Sequence, residues 1–137
     1  DQFIKHKLKI KYYIRYCDDF VILSDDKFYL ESLIFKVNDF LSKNLKLYLH
    51  PNKIIISKYH QGIDFLGYVI FPYHRILRTK TKNRMFKKVH LKVKEFNINK
   101  ISKESLNQTM QSYFGVLKHC SGNNLKIRLL EILLNKR

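Results

Sequence analysis

The sequence has few of the residues that staple or metallate small domains. Cysteine occurs twice in 137 residues, at Cys17 and Cys120. That separation matches no zinc-ligand pattern, and two thiols make no disulfide framework. A reducing, cytoplasmic setting is therefore expected. His50 and His60 have no second histidine at ligand spacing, which argues against a metal role for either. Hydrophobic runs are short: none approaches the length of a membrane span, no membrane partner is expected, and no secretory leader is expected. There is no internal repeat and no low-complexity tract. Acidic residues are scarce, 11 against 27 lysines and arginines, for a net charge of +16.

That imbalance sets the partner class. A small chain this basic suits a polyanion, nucleic acid before membrane. Part of the lysine excess accompanies an abundance of Ile, Asn and Tyr, which fits a coding bias, so the charge is a weaker signal than its size suggests. A hydrophobic content of 45% is enough for a core, and the length fits one domain or one with a small extra. The chain begins at Asp1 with patterned sequence close behind, as expected of a segment cut from a larger protein.

The central stretch is Tyr12-Tyr13-Ile14-Arg15-Tyr16-Cys17-Asp18-Asp19-Phe20-Val21-Ile22-Leu23-Ser24. Two runs of strand composition flank an acidic pair, which predicts a β-hairpin with the acids at its turn. Asp-Asp in a turn is by itself ordinary, because Asp favours turns through local hydrogen bonds. Carboxylates on a rigid support also bind hard cations such as Mg²⁺, and a carboxylate-held metal pair suits in-line displacement at phosphorus.

Taken in order, residues 4–11 alternate. Lys5, Lys7, Lys9 and Lys11 oppose Ile4, His6, Leu8 and Ile10, which predicts a half-buried strand; its lysine face is open to phosphate contact or to plain solvation. The unbroken run Phe20–Leu23 predicts a strand buried on both faces. Ser24, Asp25 and Asp26 offer N-caps for a helix carrying Leu30, Leu33, Ile34, Val37, Phe40 and Leu41. Strands are predicted at 45–49 and 53–57, broken by His50-Pro51-Asn52, then a turn at 61–64. Phe65–Phe71 is predicted as a strand with Gly67 inside it, returning at 75–78. Beyond Arg75 the composition turns basic. Three helices follow: one with Met85, Val89, Val93 and Phe96; one capped by Ser102 with Leu106, Met110, Tyr113 and Leu117; one with Asn124 as a possible cap and Leu125, Leu129, Leu130 and Leu133. The fold class is α+β.

The string Tyr16-Cys17-Asp18-Asp19, after Arg15 and before Phe20-Val21-Ile22-Leu23-Ser24, resembles the Tyr-x-Asp-Asp box of reverse transcriptases. The likeness is to the bacterial branch of group II intron, diversity-generating and retron-type retroelement enzymes. It continues in Leu49-His50-Pro51-Asn52-Lys53, and in Gly62 through Phe65-Leu66-Gly67-Tyr68 to Pro72 and Leu77-Arg78, which resembles the primer grip. The resemblance implies the C-terminal part of a palm at 1–78, with antiparallel hairpins packed on a helix, and a helical thumb at 79–137. It implies that Asp18 ligates two Mg²⁺ ions with Asp19 as its less equal neighbour, and that Lys53 lies near the incoming nucleotide. Tyr16, Cys17, Phe65, Leu66 and Gly67 would border the primer end. Arg75, Arg78, Lys80, Lys82, Arg84, Lys87 and Lys88 would follow the nucleic-acid backbone. The implied reaction is RNA-templated nucleotidyl transfer from a dNTP onto a DNA primer, with an accessory protein as a further possible partner. The family also needs an aspartate from an earlier palm strand and a fingers region. Neither is within these residues, so the isolated chain is expected to be inactive and the parent protein to be the polymerase. Two alternatives stay open: a non-catalytic RNA-binding palm–thumb module of maturase or phage-defence type, and a basic RNA-binding α+β domain with a chance hairpin match.

Overall fold

A computed structural model describes residues 1–134. It is α+β, with four substantial helices and two small antiparallel sheets. The chain divides into two compact units, Asp1–Ser57 and Lys58–Arg137.

In the first unit, strands β1 (Tyr13–Tyr16) and β2 (Asp19–Ile22) form a hairpin in register Tyr13↔Ile22 to Tyr16↔Asp19. Cross-strand partners share a face. Tyr13, Phe20 and Ile22 turn one face onto a small core of Ile4, Ile10, Leu33 and Val37. The other face carries Tyr12, Ile14, Tyr16 and Leu23, all largely exposed. The expectation of a β2 strand buried on both faces is therefore corrected: a two-stranded ribbon with one helix behind it has only one face to bury. Helix α1 (Lys27–Phe40) begins where the Asp26 carboxylate accepts the Tyr29 amide at 3.1 Å, as the capping sequence predicts.

Three predicted strands of this unit are absent. Residues 3–7 form a wide helical turn, with the Leu8 amide bonded to the Phe3 carbonyl. It brings Ile4 and Ile10 into the core and stacks Phe3 on Phe40 at 4.0 Å. Residues 41–45 continue the end of α1 as a second wide turn, stopped by Lys46 at a φ of 56°. Pro51–Lys53 is a single tight turn, and Ile54, Ile55 and Ile56 follow without a strand partner. Alternation and β-branched composition are local properties. A strand also needs a neighbour to take its backbone hydrogen bonds, and β1 and β2 pair with each other alone.

In the second unit, β3 (Ile63–Phe65), β4 (Tyr68–Ile70) and β5 (Arg75–Leu77) form a three-stranded meander. Gly67 is not inside a strand, as the sequence suggests. Leu66 and Gly67 make a two-residue turn with φ values of 51° and 84°, a combination typical of tight hairpins. Helices α2 (Thr79–Asn97), α3 (Lys103–Lys118) and α4 (Asn123–Leu134) pack around Met85, Val89, Val93, Leu106, Met110, Leu117 and Leu129. The Ser102 hydroxyl caps α3 through the Ser105 amide. Helix α4 starts at Asn123, so Asn124 lies inside it rather than capping it. Sheet and helices are joined directly: the Tyr68 hydroxyl donates to the Val116 carbonyl at 3.1 Å, and the Ser121 amide to the Arg75 carbonyl at 2.8 Å. The second hairpin thus lies in one compact unit with the three helices.

Two glycines test this packing in opposite directions. At Gly62 the φ is 87°, and an added Cβ would stand 2.7 Å from Val69 Cγ1 and 2.9 Å from Phe71 Cε1. Gly62→Ala is expected to destabilise the unit by about 1–3 kcal/mol from backbone conformation, before the clash is counted. Gly115 lies mid-helix in α3 with open space around it, so Gly115→Ala is expected to stabilise by about 1 kcal/mol. Urea unfolding midpoints of the two variants should shift in opposite senses.

Candidate metal and nucleic-acid site

The hairpin tip is built from its two ends. Tyr16 and Asp19 close the ladder, leaving Cys17 and Asp18 as the turn. Cys17 takes a φ of 52°, a conformation that costs a non-glycine residue about 1–2 kcal/mol. Arg15 braces the turn. Its Nη1 donates to the Cys17 carbonyl, and its Nε and Nη2 donate to the two Asp1 carboxylate oxygens at 2.8 and 3.0 Å. The Tyr13 hydroxyl joins the same carboxylate at 2.9 Å. The Arg15 guanidinium is therefore engaged with Asp1 and the Cys17 carbonyl rather than with the acids of the box.

Asp18 and Asp19 are both exposed, and neither joins an ion pair among the described residues. Asp19 belongs to the open face of the ribbon, opposite Tyr16. Asp18 is at the bend. Two unpaired carboxylates on a braced turn are hard oxygen donors of the kind Mg²⁺ takes. They fit part of a coordination shell: among the described residues no group of three or more His, Cys, Asp or Glu is placed to hold a metal. Lys53, at the end of the Pro51–Lys53 turn in the same unit, is exposed and joins no ion pair among the described residues.

The other residues singled out in the sequence lie in the second unit. Phe65 is buried, whereas Leu66 at the turn is exposed. Leu66, Gly67, Arg78 and Arg84 line a groove of about 380 Å³ with Tyr68, Leu77, Thr81 and Val116. Arg78 is not free in it. Asp64 on β3 takes both its Nε, at 2.6 Å, and its Nη2. The sequence gives no sign of this pair, because it forms only when β3 and the start of α2 come together.

Helix α2 carries seven basic residues and one acid, Glu95. Lys92 occupies that acid at 2.8 Å, and its hydrogen bond holds the Glu95 carboxyl below the usual carboxylate range. Lys80, Arg84, Lys87 and Lys94 fall at positions that share one helix face, opposite buried Met85, Val89 and Val93. Leu91 lies within this stripe, which is about 21 Å long at the α-helical rise. All four bases are exposed and without an ion pair among the described residues. Lys88 flanks the stripe, Lys82 is half-buried toward the core side, and Arg75 sits apart on β5.

No helix among the described residues is long and apolar enough to cross a membrane. No protein-family model matches the chain, and no curated protein matches it.

Proposed function

We propose that the chain is the metal-holding and primer-holding part of an RNA-directed DNA polymerase, within a longer protein that contributes a further palm aspartate and the fingers. The observation that carries this reading is the state of the acidic pair. In a chain with 27 basic residues and 11 acids, Asp18 and Asp19 stand exposed, with no ion pair among the described residues, on a turn braced by Arg15. Neither takes a base or a cap among the described residues.

In this reading Asp18 holds Mg²⁺ and Asp19 supports it from the adjoining strand. When bound, the ions supply Lewis acidity toward the primer 3′-hydroxyl and the triphosphate. Tyr16 and Cys17 border the primer terminus at the same tip. Lys53 neutralises triphosphate charge or gives a proton to the departing pyrophosphate. Leu66 and Gly67 set the primer strand from the second hairpin, with Phe65 as its buried anchor. The Asp64 carboxylate leaves Arg78 partly neutralised, so the stripe Lys80, Arg84, Lys87 and Lys94 carries the backbone contact.

That stripe gives a measurable signature. Each neutralised phosphate contributes a slope of roughly −0.7 to −0.9 in log K against log salt. Replacing the four bases with Gln is expected to flatten the salt dependence of RNA or duplex binding by about 3. Gln at the two exposed lysines of α1, Lys27 and Lys36, should leave the slope nearly unchanged. An unaltered slope after the α2 changes would remove the stripe from the interface.

The catalytic half of the proposal is tested on the parent protein, with a poly-A template, an oligo-dT primer and Mg²⁺. Incorporation that requires Asp18 supports the polymerase. Template and primer binding without incorporation would favour the non-catalytic RNA-binding module, which draws on the same α2 stripe.

A further inference from the structure

A second groove, of about 490 Å³, lies between α2 and α4 and is lined by Asn83, Phe86, His90, Arg128, Glu131 and Ile132. Its volume falls in the range of about 300–1,000 Å³ common for small-ligand sites. The guanidinium carbon of Arg128 stands over the Phe86 ring, 5.1 Å from its centroid. A guanidinium held this way is a planar, weakly hydrated surface, suited to stacking of a further π-face.

Glu131 is the unexplained member. It follows Arg128 by three residues on α4, a spacing that allows an ion pair, yet no ion pair joins it to any base among the described residues. Two other acids without an ion pair among the described residues sit at helix starts: Asp26 caps α1 and Glu104 occupies the first turn of α3. Glu131 has neither place. Because Arg128 is engaged with Phe86, the carboxylate is left open on the groove beside the Asn83 amide and the His90 imidazole.

A carboxylate accepts two parallel N–H bonds and donates none. Among the four RNA bases, guanine alone offers two adjacent donors, N1–H and the N2 amino group, on one edge. Adenine and cytosine set an acceptor beside their amino group, and uracil flanks its N–H with two carbonyls. We propose that the α2–α4 groove binds a guanine base of RNA, stacked on the Arg128 guanidinium, with Glu131 accepting from N1–H and N2–H. Asn83 and His90 each lie three residues beyond a base of the stripe, Lys80 and Lys87, and so share its edge of α2. A nucleotide seated in the groove has its phosphate on that side. The ligand class rests on the nucleic-acid reading of α2, but the base preference does not depend on the stripe.

The test uses the 137-residue chain, labelled with ¹⁵N and titrated with GMP, AMP, CMP and UMP. All four carry the same phosphate, so only a base-dependent response reports on the groove. GMP is expected to bind at least about fivefold more tightly than the others, as for one bidentate base contact, with the largest amide shifts at Asn83, Phe86, His90 and Glu131. Glu131→Gln should bring the four nucleotides within about twofold of one another, and Phe86→Leu should weaken all of them. Equal responses to the four nucleotides, no response at these residues, or a guanine preference that survives Glu131→Gln would each overturn the proposal. Loss of backbone binding by the stripe with the guanine preference intact would fail the interface reading alone.

Discussion

If the parent protein is the polymerase proposed above, Asp18→Ala in it is expected to lower primer extension by on the order of a hundredfold to a thousandfold, the usual loss when one preorganised electrostatic group is removed from a reacting centre. Folding should be unaffected, because the side chain is exposed and makes no ion pair among the described residues. Asp19→Ala is expected to cost less, since Asp19 sits on the ladder opposite Tyr16 rather than at the bend. Steady-state incorporation on poly-A with oligo-dT, read together with primer binding, separates the outcomes. Binding retained with incorporation lost is the metal-ligand result. Equal incorporation by wild type and Asp18→Ala would remove the carboxylate from the chemistry. The isolated 137-residue chain is expected to incorporate nothing, with either residue at position 18.

The second large effect concerns stability. Leu129 is fully buried between α4 and the α2 and α3 residues Met85, Val89, Met110 and Leu117. Leu129→Ala removes its transfer free energy and leaves a cavity, for an expected loss of about 2–5 kcal/mol. A unit of about 80 residues has roughly 4–12 kcal/mol in total, so this one change takes a large share. Leu130, the next residue, is 40% exposed, and Leu130→Ala should cost no more than about 1 kcal/mol. Urea denaturation of both variants gives the comparison. Equal losses would mean that α4 does not present Leu129 to the bundle.

The helices were legible because each carries its instructions within a few turns. Leu33 and Val37 mark the inner face of α1, Asp26 supplies its cap, and Ser102 does the same for α3. The Asp-Asp hairpin was legible for a similar reason: two strand-forming runs and a bend lie next to each other. Residues 4–10 show the limit. Their alternation fits a strand, but Ile4 and Ile10 reach the same core from a wide helical turn. Ile54, Ile55 and Ile56 have strand composition and no strand beside them. At the candidate sites, the acids of the box and the bases of α2 are visible as residue types. Their charge state in the fold is not, because Asp1 takes Arg15, Asp64 takes Arg78 and Lys92 takes Glu95. The first two of these pairs span 14 residues. The openness of Asp18, Asp19 and Glu131 emerges only after such pairs are assigned.

The bonds from Tyr68 to Val116 and from Ser121 to Arg75 carry a mechanical consequence. They fasten the meander at two separate points, to α3 and to the residues just beyond it, and burial pushes both the Tyr68 hydroxyl and the nearby Cys120 thiol above their ordinary pKa. The Leu66–Gly67 turn therefore belongs to the same packed unit as the bundle, and a displacement of the end of α3 would carry the meander with it.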